Sequence, residues 1–223
     1  MILGYKPVAP KRVVLVLPMI GMALFVILYI VAAIKYPGGS WKFPDAKDFS
    51  FWNNYLCDLL DHNAVNGQLN DARYIARTAL AFLCGGLLLL WWYLPSLFPE
   101  DRITRTIMWI SGILALVTTF FLSSGTHDTT VRIAGFFGAI AFINLFIELY
   151  RIGLYRLFIL GLFCLIIFLI NYYIYETGSF IKGLPIIQKI TFLSFLCWFT
   201  FLNLSMIKKR NDSRKNSNQS LFK

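Results

Sequence analysis

This sequence predicts an all-α membrane protein, a bundle of six transmembrane helices with an amphipathic helix in its first outer loop. Three observations carry that prediction. The chain of 223 residues is 58% hydrophobic and only 14% charged, where soluble domains hold about 25% charged residues. Its apolar residues come in blocks long enough to cross a bilayer, which takes about 20 residues as helix. None of these blocks shows the period-2 alternation of a membrane β-barrel.

The blocks run over 13–35, 74–94, 106–124, 131–150, 154–175 and 187–207. The first has a basic flank and "VAA" near its end, as a cleaved signal would. Its apolar run exceeds the about 7–15 residues of a signal core, so it reads as a retained span. The second closes on Trp91, Trp92 and Tyr93, the composition of an interfacial aromatic belt. In the fourth, Gly135, Gly138 and Ala139 form a small-residue face suited to close helix contact, and Gly85, Gly86 and Gly161 offer the same elsewhere. The organisation is therefore an N-terminal segment 1–12, a transmembrane domain 13–207 with the loop 36–72 as a lid, and a basic tail 208–223.

The net charge of +10 points to topology rather than to nucleic acid. With six spans both termini share a side. That side carries a net +9 and the opposite side a net +1. The positive-inside rule then puts the termini in the cytoplasm, with the tail as an orientation anchor near anionic lipid. Asn-x-Ser matches at Asn203, Asn211 and Asn218 fall in the last span or the tail, away from glycosylation. Cys84, Cys164 and Cys197 lie near mid-span and read as apolar filler. Cys57 stands alone outside.

The first connection is the long one, and its sequence predicts structure. After the turn-rich "YPGGSWKFPD", Phe51, Trp52, Tyr55, Leu56, Leu59 and Leu60 share one helical face. Asn54, Asp58, Asp61 and His62 form a separate polar face, which together predicts a surface helix over 50–63. Asn70 or Asp71 is positioned to cap the second span.

Polar residues gather at the outer ends of the spans. Arg73 and Arg77 lie four apart on the second. A charge at the depth of Arg77 calls for an acid or a lipid phosphate. The second outer loop, "SSGTHDTTVR", brings His127 and Asp128, with Arg132 placed to pair with Asp128. The third edge, "NYYIYETG", adds Asn171, Tyr172 and Glu176. Asp58, Asp61, His127 and Asp128 are the candidate catalytic groups, as general base, nucleophile or metal ligands. Asn54, His62, Arg73, Arg77 and Glu176 are the candidate binding groups. No cofactor is implied; "CDLLDH" offers metal-ligand types, but HExxH, GxSxG and CxxC motifs are absent from the sequence. The midplane holds only Thr118, Thr119, Asn144 and Thr200 as notable polar groups, with Glu148 towards the cytoplasmic end. Carriers place ionisable groups there, so transport is disfavoured.

The stretches "NNYLCDLLD", "NDARYIA" and "THD", with the six-span topology, are similar to a broad superfamily of six-helix membrane proteins. It includes the damage-regulated autophagy modulators, the FGF-receptor-activating protein and bacterial relatives. That resemblance implies cytoplasmic termini, a polar first outer loop and a link to lipid-anchor remodelling or membrane signalling.

Two functional readings follow. In the first, an outward polar site binds or acts on a lipid or other amphiphile, as a hydrolase or transferase would. In the second, the protein is a non-catalytic scaffold whose outer polarity is structural. Membrane lipids are the expected partners and nucleic acid is not. Reporter fusions at the tail should report a cytoplasmic location, and Cys57 should label from the side of the membrane opposite the cytoplasm. Labelling of Cys57 from the cytoplasm alone would refute this topology.

Overall fold

Each apolar block folds as a helix because a chain in hydrocarbon must satisfy its own backbone polar groups. The computed structural model describes residues 10–100, 102–121 and 127–220, the side chains of residue 127 and of residues 215–220 excepted. The helices are α1 (Arg12–Ile34), α2 (Ala72–Tyr93), α3 (Ile103–Phe120), α4 (His127–Arg151), α5 (Tyr155–Thr177) and α6 (Leu184–Ser220). Among the described residues, six helical segments are long and apolar enough to cross a membrane, and no strand forms beyond an isolated Asn63–Leu69 bridge. The protein is an all-α, six-helix membrane protein.

Two boundaries differ from the sequence reading. The last helix runs on through the basic tail to Ser220, because Lys, Arg and Gln are good helix formers and neither Gly nor Pro interrupts them. At 37 residues it is about 55 Å long, against a hydrocarbon core of about 30 Å. Helix α4 begins at His127, with Asp128 in its first turn, where a carboxylate favours the positive end of the helix dipole.

The helices pack in a ring. Each lies against its neighbours in the chain, and α6 closes back onto α1. One end carries the long 35–71 connection and is here the loop end. The tail end carries the α2–α3 and α4–α5 turns. An aromatic layer fills the centre: Phe142 lies 5.5 Å from Trp198, 6.3 Å from Phe199 and 6.2 Å from Trp91, ring centroid to centroid. Both indoles are satisfied there. Trp91 donates to the Met108 carbonyl at 2.9 Å and Trp198 to the Leu157 carbonyl at 2.9 Å. Asn203, fully buried, donates to the Leu15 carbonyl at 2.7 Å and ties α6 to α1.

Small residues set one crossing and not the other. At the α1–α2 contact a Cβ on Gly21 would sit 2.7 Å from the Phe82 carbonyl oxygen, and one on Gly86 3.2 Å from that of Pro18. Gly135 and Gly138 of α4 look onto open space, as does Gly85. The close contact expected of the α4 glycines is therefore not made. Two apolar runs thus use glycine differently, one for close approach and one at a free surface.

Gly21→Ala should lower stability by about 1–3 kcal/mol through backbone overpacking. Gly135→Ala should be neutral or stabilising by up to about 1 kcal/mol through helix propensity. Thermal unfolding of the two variants in detergent checks the pair.

Candidate functional site

The long connection is folded without being the helix that its pattern predicts. Residues 51–53 form a turn, and only Cys57–Leu60 form a short 3₁₀ segment. Both predicted faces are also split. Phe51 and Trp52 are exposed while Leu59 and Leu60 are buried, and Asn54 and Asp58 are buried while His62 is exposed. The cause is local. An Asn and an Asp can bond nearby backbone groups in competition with helical hydrogen bonds. The Ser50 backbone N–H donates to Asn54 Oδ1 at 2.8 Å, and the Tyr55 N–H donates to Asp58 Oδ2 at 2.9 Å. Asn54 Nδ2 donates to Asp58 Oδ2 at 2.8 Å and to the Gly39 carbonyl at 2.7 Å. Gly39 itself adopts φ +83°, where a Cβ would meet the Pro44 carbonyl oxygen at 2.7 Å.

Three helices pin this cap. From α6, Lys189 Nζ donates to the Asn54 carbonyl at 2.6 Å and to the Pro185 carbonyl at 2.9 Å. The ammonium also faces the rings of Phe49 and Phe51 at 5.9 and 5.2 Å. Leu56 is held at both backbone groups: its N–H donates to Gln188 Oε1 of α6 at 2.8 Å, and its carbonyl accepts from Tyr29 of α1 at 3.0 Å. From the start of α2, Asn70 Nδ2 donates to the carbonyls of Asp58, Leu59 and Asp61 at 3.0–3.3 Å. Neither Asn70 nor Asp71 caps α2 through its side chain, since Asp71 makes no capping bond and Asn70 is spent on the cap.

The two arginines exchange the roles expected of them. Arg73 is the buried one; its Nη1 donates to the His62 carbonyl at 3.0 Å and its Nη2 to the Tyr74 hydroxyl at 2.7 Å. Arg77 is exposed below the cap and donates from Nη2 to the Leu60 carbonyl at 3.2 Å. For Arg77 the sequence calls for an acid or a lipid phosphate, and the side chain meets the Leu60 carbonyl. The cap folds down over α2 and brings its own peptide oxygens to both side chains.

The remaining candidates separate. His62 is exposed, with Nδ1 3.0 Å from Asn63 Oδ1; Asp61 is half-buried. At the loop-end edge of α4 and α5, the Tyr175 hydroxyl donates to Asp128 Oδ1 at 2.6 Å. Arg132 pairs with Glu176 at 3.4 Å, across to α5 instead of along its own helix to Asp128. The side chain of His127 lies outside the described residues. Among the described residues no three His, Cys, Asp or Glu side chains are placed to share a metal ion.

Burial raises the Asp58 carboxyl above its usual range, against the opposing hydrogen bonds from Asn54 and Tyr55. Burial also pushes the Cys57 thiol up to about 12, and such a thiol is inert. Lys189, Gln188 and Tyr29 are absent from the sequence-based candidates. A lysine two residues into a predicted span was their available signal, since a charge there needs partners from elsewhere.

No family model, curated protein or solved structure matches this chain.

Asn54→Ala should destabilise the cap by about 1–3 kcal/mol for each buried partner left unpaired, whereas Asn53→Ala, at a half-buried turn position, should cost little. Maleimide at pH 8 should modify Cys57 slowly in the parent and faster in Asn54→Ala. For the same reason the exposed Gln68→Cys variant is the better carrier of a topology label.

Proposed function

We propose that this chain is a non-catalytic membrane interaction protein whose outer polar cluster is structural. One observation carries the reading: the buried polar side chains of the first loop are turned inward and spent on backbone groups. Asp58 accepts from Asn54 and Tyr55, Asn70 donates to three carbonyls, and Arg73 donates to the His62 carbonyl and the Tyr74 hydroxyl. A general base must present a lone pair to substrate, and Asp58 presents its carboxylate to its own loop. What the cap offers outward is aromatic: Trp41, Phe43, Phe51 and Trp52 are each at least half exposed. Tyr and Trp are enriched at protein–protein contacts, so this face is read as the docking platform for another membrane-bound polypeptide. The charge asymmetry supports placing the cap outside and the tail in the cytoplasm. The resemblance to the six-helix superfamily supports a role in membrane signalling.

A second reading retains an amphiphile site, of binding, hydrolase or transferase type, at the α4–α5 edge. It is favoured by the exposed Tyr175–Asp128 and Arg132–Glu176 pairs beside the open face of Gly135 and Gly138.

A photo-crosslinking amino acid at Trp52 should capture polypeptide, and Asp58→Asn should leave both folding and that crosslink intact. By linkage, a carboxyl raised above 3.8 destabilises the folded state at neutral pH and is relieved as pH falls through its folded value. Asn at this position is therefore tolerated in a structural role. Crosslinks to lipid alone, or a folded Asp58→Asn or Tyr175→Phe variant that loses turnover of a phospholipid, would reject the scaffold in favour of the amphiphile site.

A further inference from the structure

The tail end holds a second polar cluster that the loop-end chemistry does not touch. Here α3 and α5 begin and α4 ends, so the level is that of a bilayer headgroup region. Aromatic pairs mark the same level: Trp92 with Trp109 at 5.1 Å and Tyr150 with Tyr155 at 5.3 Å, as interfacial belts do. Between the helix ends lies a cavity of about 630 Å³, within the range of roughly 300–1,000 Å³ typical of ligand sites.

Its walls are built in two parts. Leu97, Pro99, Ile152 and Leu154 form an apolar side. The polar side is organised by Glu148, which is buried at 2% exposure. Its Oε1 accepts from Thr104 and, at 3.0 Å, from Arg151 Nη1; the same Nη1 also reaches Thr104 Oγ1 at 3.2 Å. One guanidinium nitrogen is thereby fixed, leaving Nε and Nη2 of Arg151 as donors without a hydrogen-bond partner among the described residues. Lys209 donates to the Ser96 and Leu97 carbonyls at 3.1 and 2.8 Å, and an ammonium has three donors. Lys208 is exposed at the same cavity. Glu100 is paired with Arg102, as Glu148 is with Arg151. Among the described lining charges, Lys208 and Lys209 then stand against Asp212, an excess of one positive charge.

The geometry points to a binding site for the phosphodiester headgroup of an anionic glycerophospholipid from the tail-side leaflet. A phosphodiester carries one negative charge, which matches the excess. Arginine and lysine donors suit its two free oxygens. The apolar wall suits the glycerol and first acyl carbons, and basic pockets between transmembrane helices are a recognised form of headgroup site. Glu148 acts as a positioning residue through Arg151.

The test uses the full chain in a non-ionic detergent, followed by native mass spectrometry with three probes: dihexanoyl-phosphatidylglycerol, dihexanoyl-phosphatidylcholine and the deacylated glycerophosphoglycerol. One phosphatidylglycerol should bind saturably, about tenfold or more tighter than phosphatidylcholine, because only the former has a net charge to match. Lys208→Glu, at an exposed position that leaves the fold alone, should weaken it by about tenfold or more. Arg151→Gln should do the same, and Arg151→Lys should restore part of it. Because Arg151→Gln strips a partner from buried Glu148 and risks misfolding, Lys208→Glu is the deciding variant. Absence of saturable binding, binding unchanged in Lys208→Glu, or equal binding of glycerophosphoglycerol would each overturn the lipid assignment.

Discussion

A buried ammonium cannot be left unpaired, and the loop end of this protein is arranged around that constraint. Lys189 sits near the start of α6, where the helix dipole is already unfavourable to a cation. Its two recorded acceptors are carbonyls, one from its own helix and one from Asn54 in the first loop. Holding the Asn54 carbonyl in place requires the Asn54 side chain to be locked, and Asp58 and Gly39 lock it. The fold of the loop, its seat on α6 and the inward turn of its polar residues therefore follow from a single satisfied charge. Removing one partner of a buried charged group leaves the other uncompensated, which typically costs about 3–5 kcal/mol for an ion pair. A cap built this way is rigid because each of its bonds depends on the next.

Stability is divided unevenly along the bundle. Towards the tail end, the helices meet over large aromatic side chains whose indole N–H groups are bonded to facing backbone. Towards the loop end, α1, α2 and α6 are bound by the cap, while α4 exposes Phe136 and the open faces of two glycines. Where α4 meets α5, the loop-end parts are thus held together less by packing than by the two polar pairs at their rim. Motion in such a bundle concentrates where buried apolar contacts are few.

The six spans were legible because continuous hydrophobicity is enough to define a membrane helix, and the polar residues at their ends marked the turns. The helix ends were less so. Nothing in "KKRNDSRKN" breaks a helix, yet its charge reads as a solvated tail. The cap was misread for a physical reason. Asn54 and Asp58 stand at i and i+4, the spacing of one helical face, and the same spacing lets one side chain bond the other while both capture backbone N–H groups. Periodicity cannot distinguish these outcomes; the neighbouring glycines and the lysine on α6 decide. Arg77 was expected to need an acid or a lipid phosphate because the sequence shows charges and does not show where a loop's carbonyls will fall. Glu148 was seen only as a charge near a span end; Arg151, at i+3 on the same helix, was a readable partner, whereas Thr104 lies 44 residues away on α3.

The position of Lys189 and Gln188 in the chain has a consequence for biosynthesis. They meet the first loop across 135 and 132 residues respectively. At about 5–20 residues per second, translation supplies them on the order of ten seconds after the loop has emerged. Until then Asn54 and the Leu56 N–H lack their α6 partners, and the loop waits without its lock. Completion of the cap thus requires the final helix to be in place with Lys189 and Gln188 at the loop end. A nascent chain stalled before α6 therefore carries a loop that lacks both of these bonds.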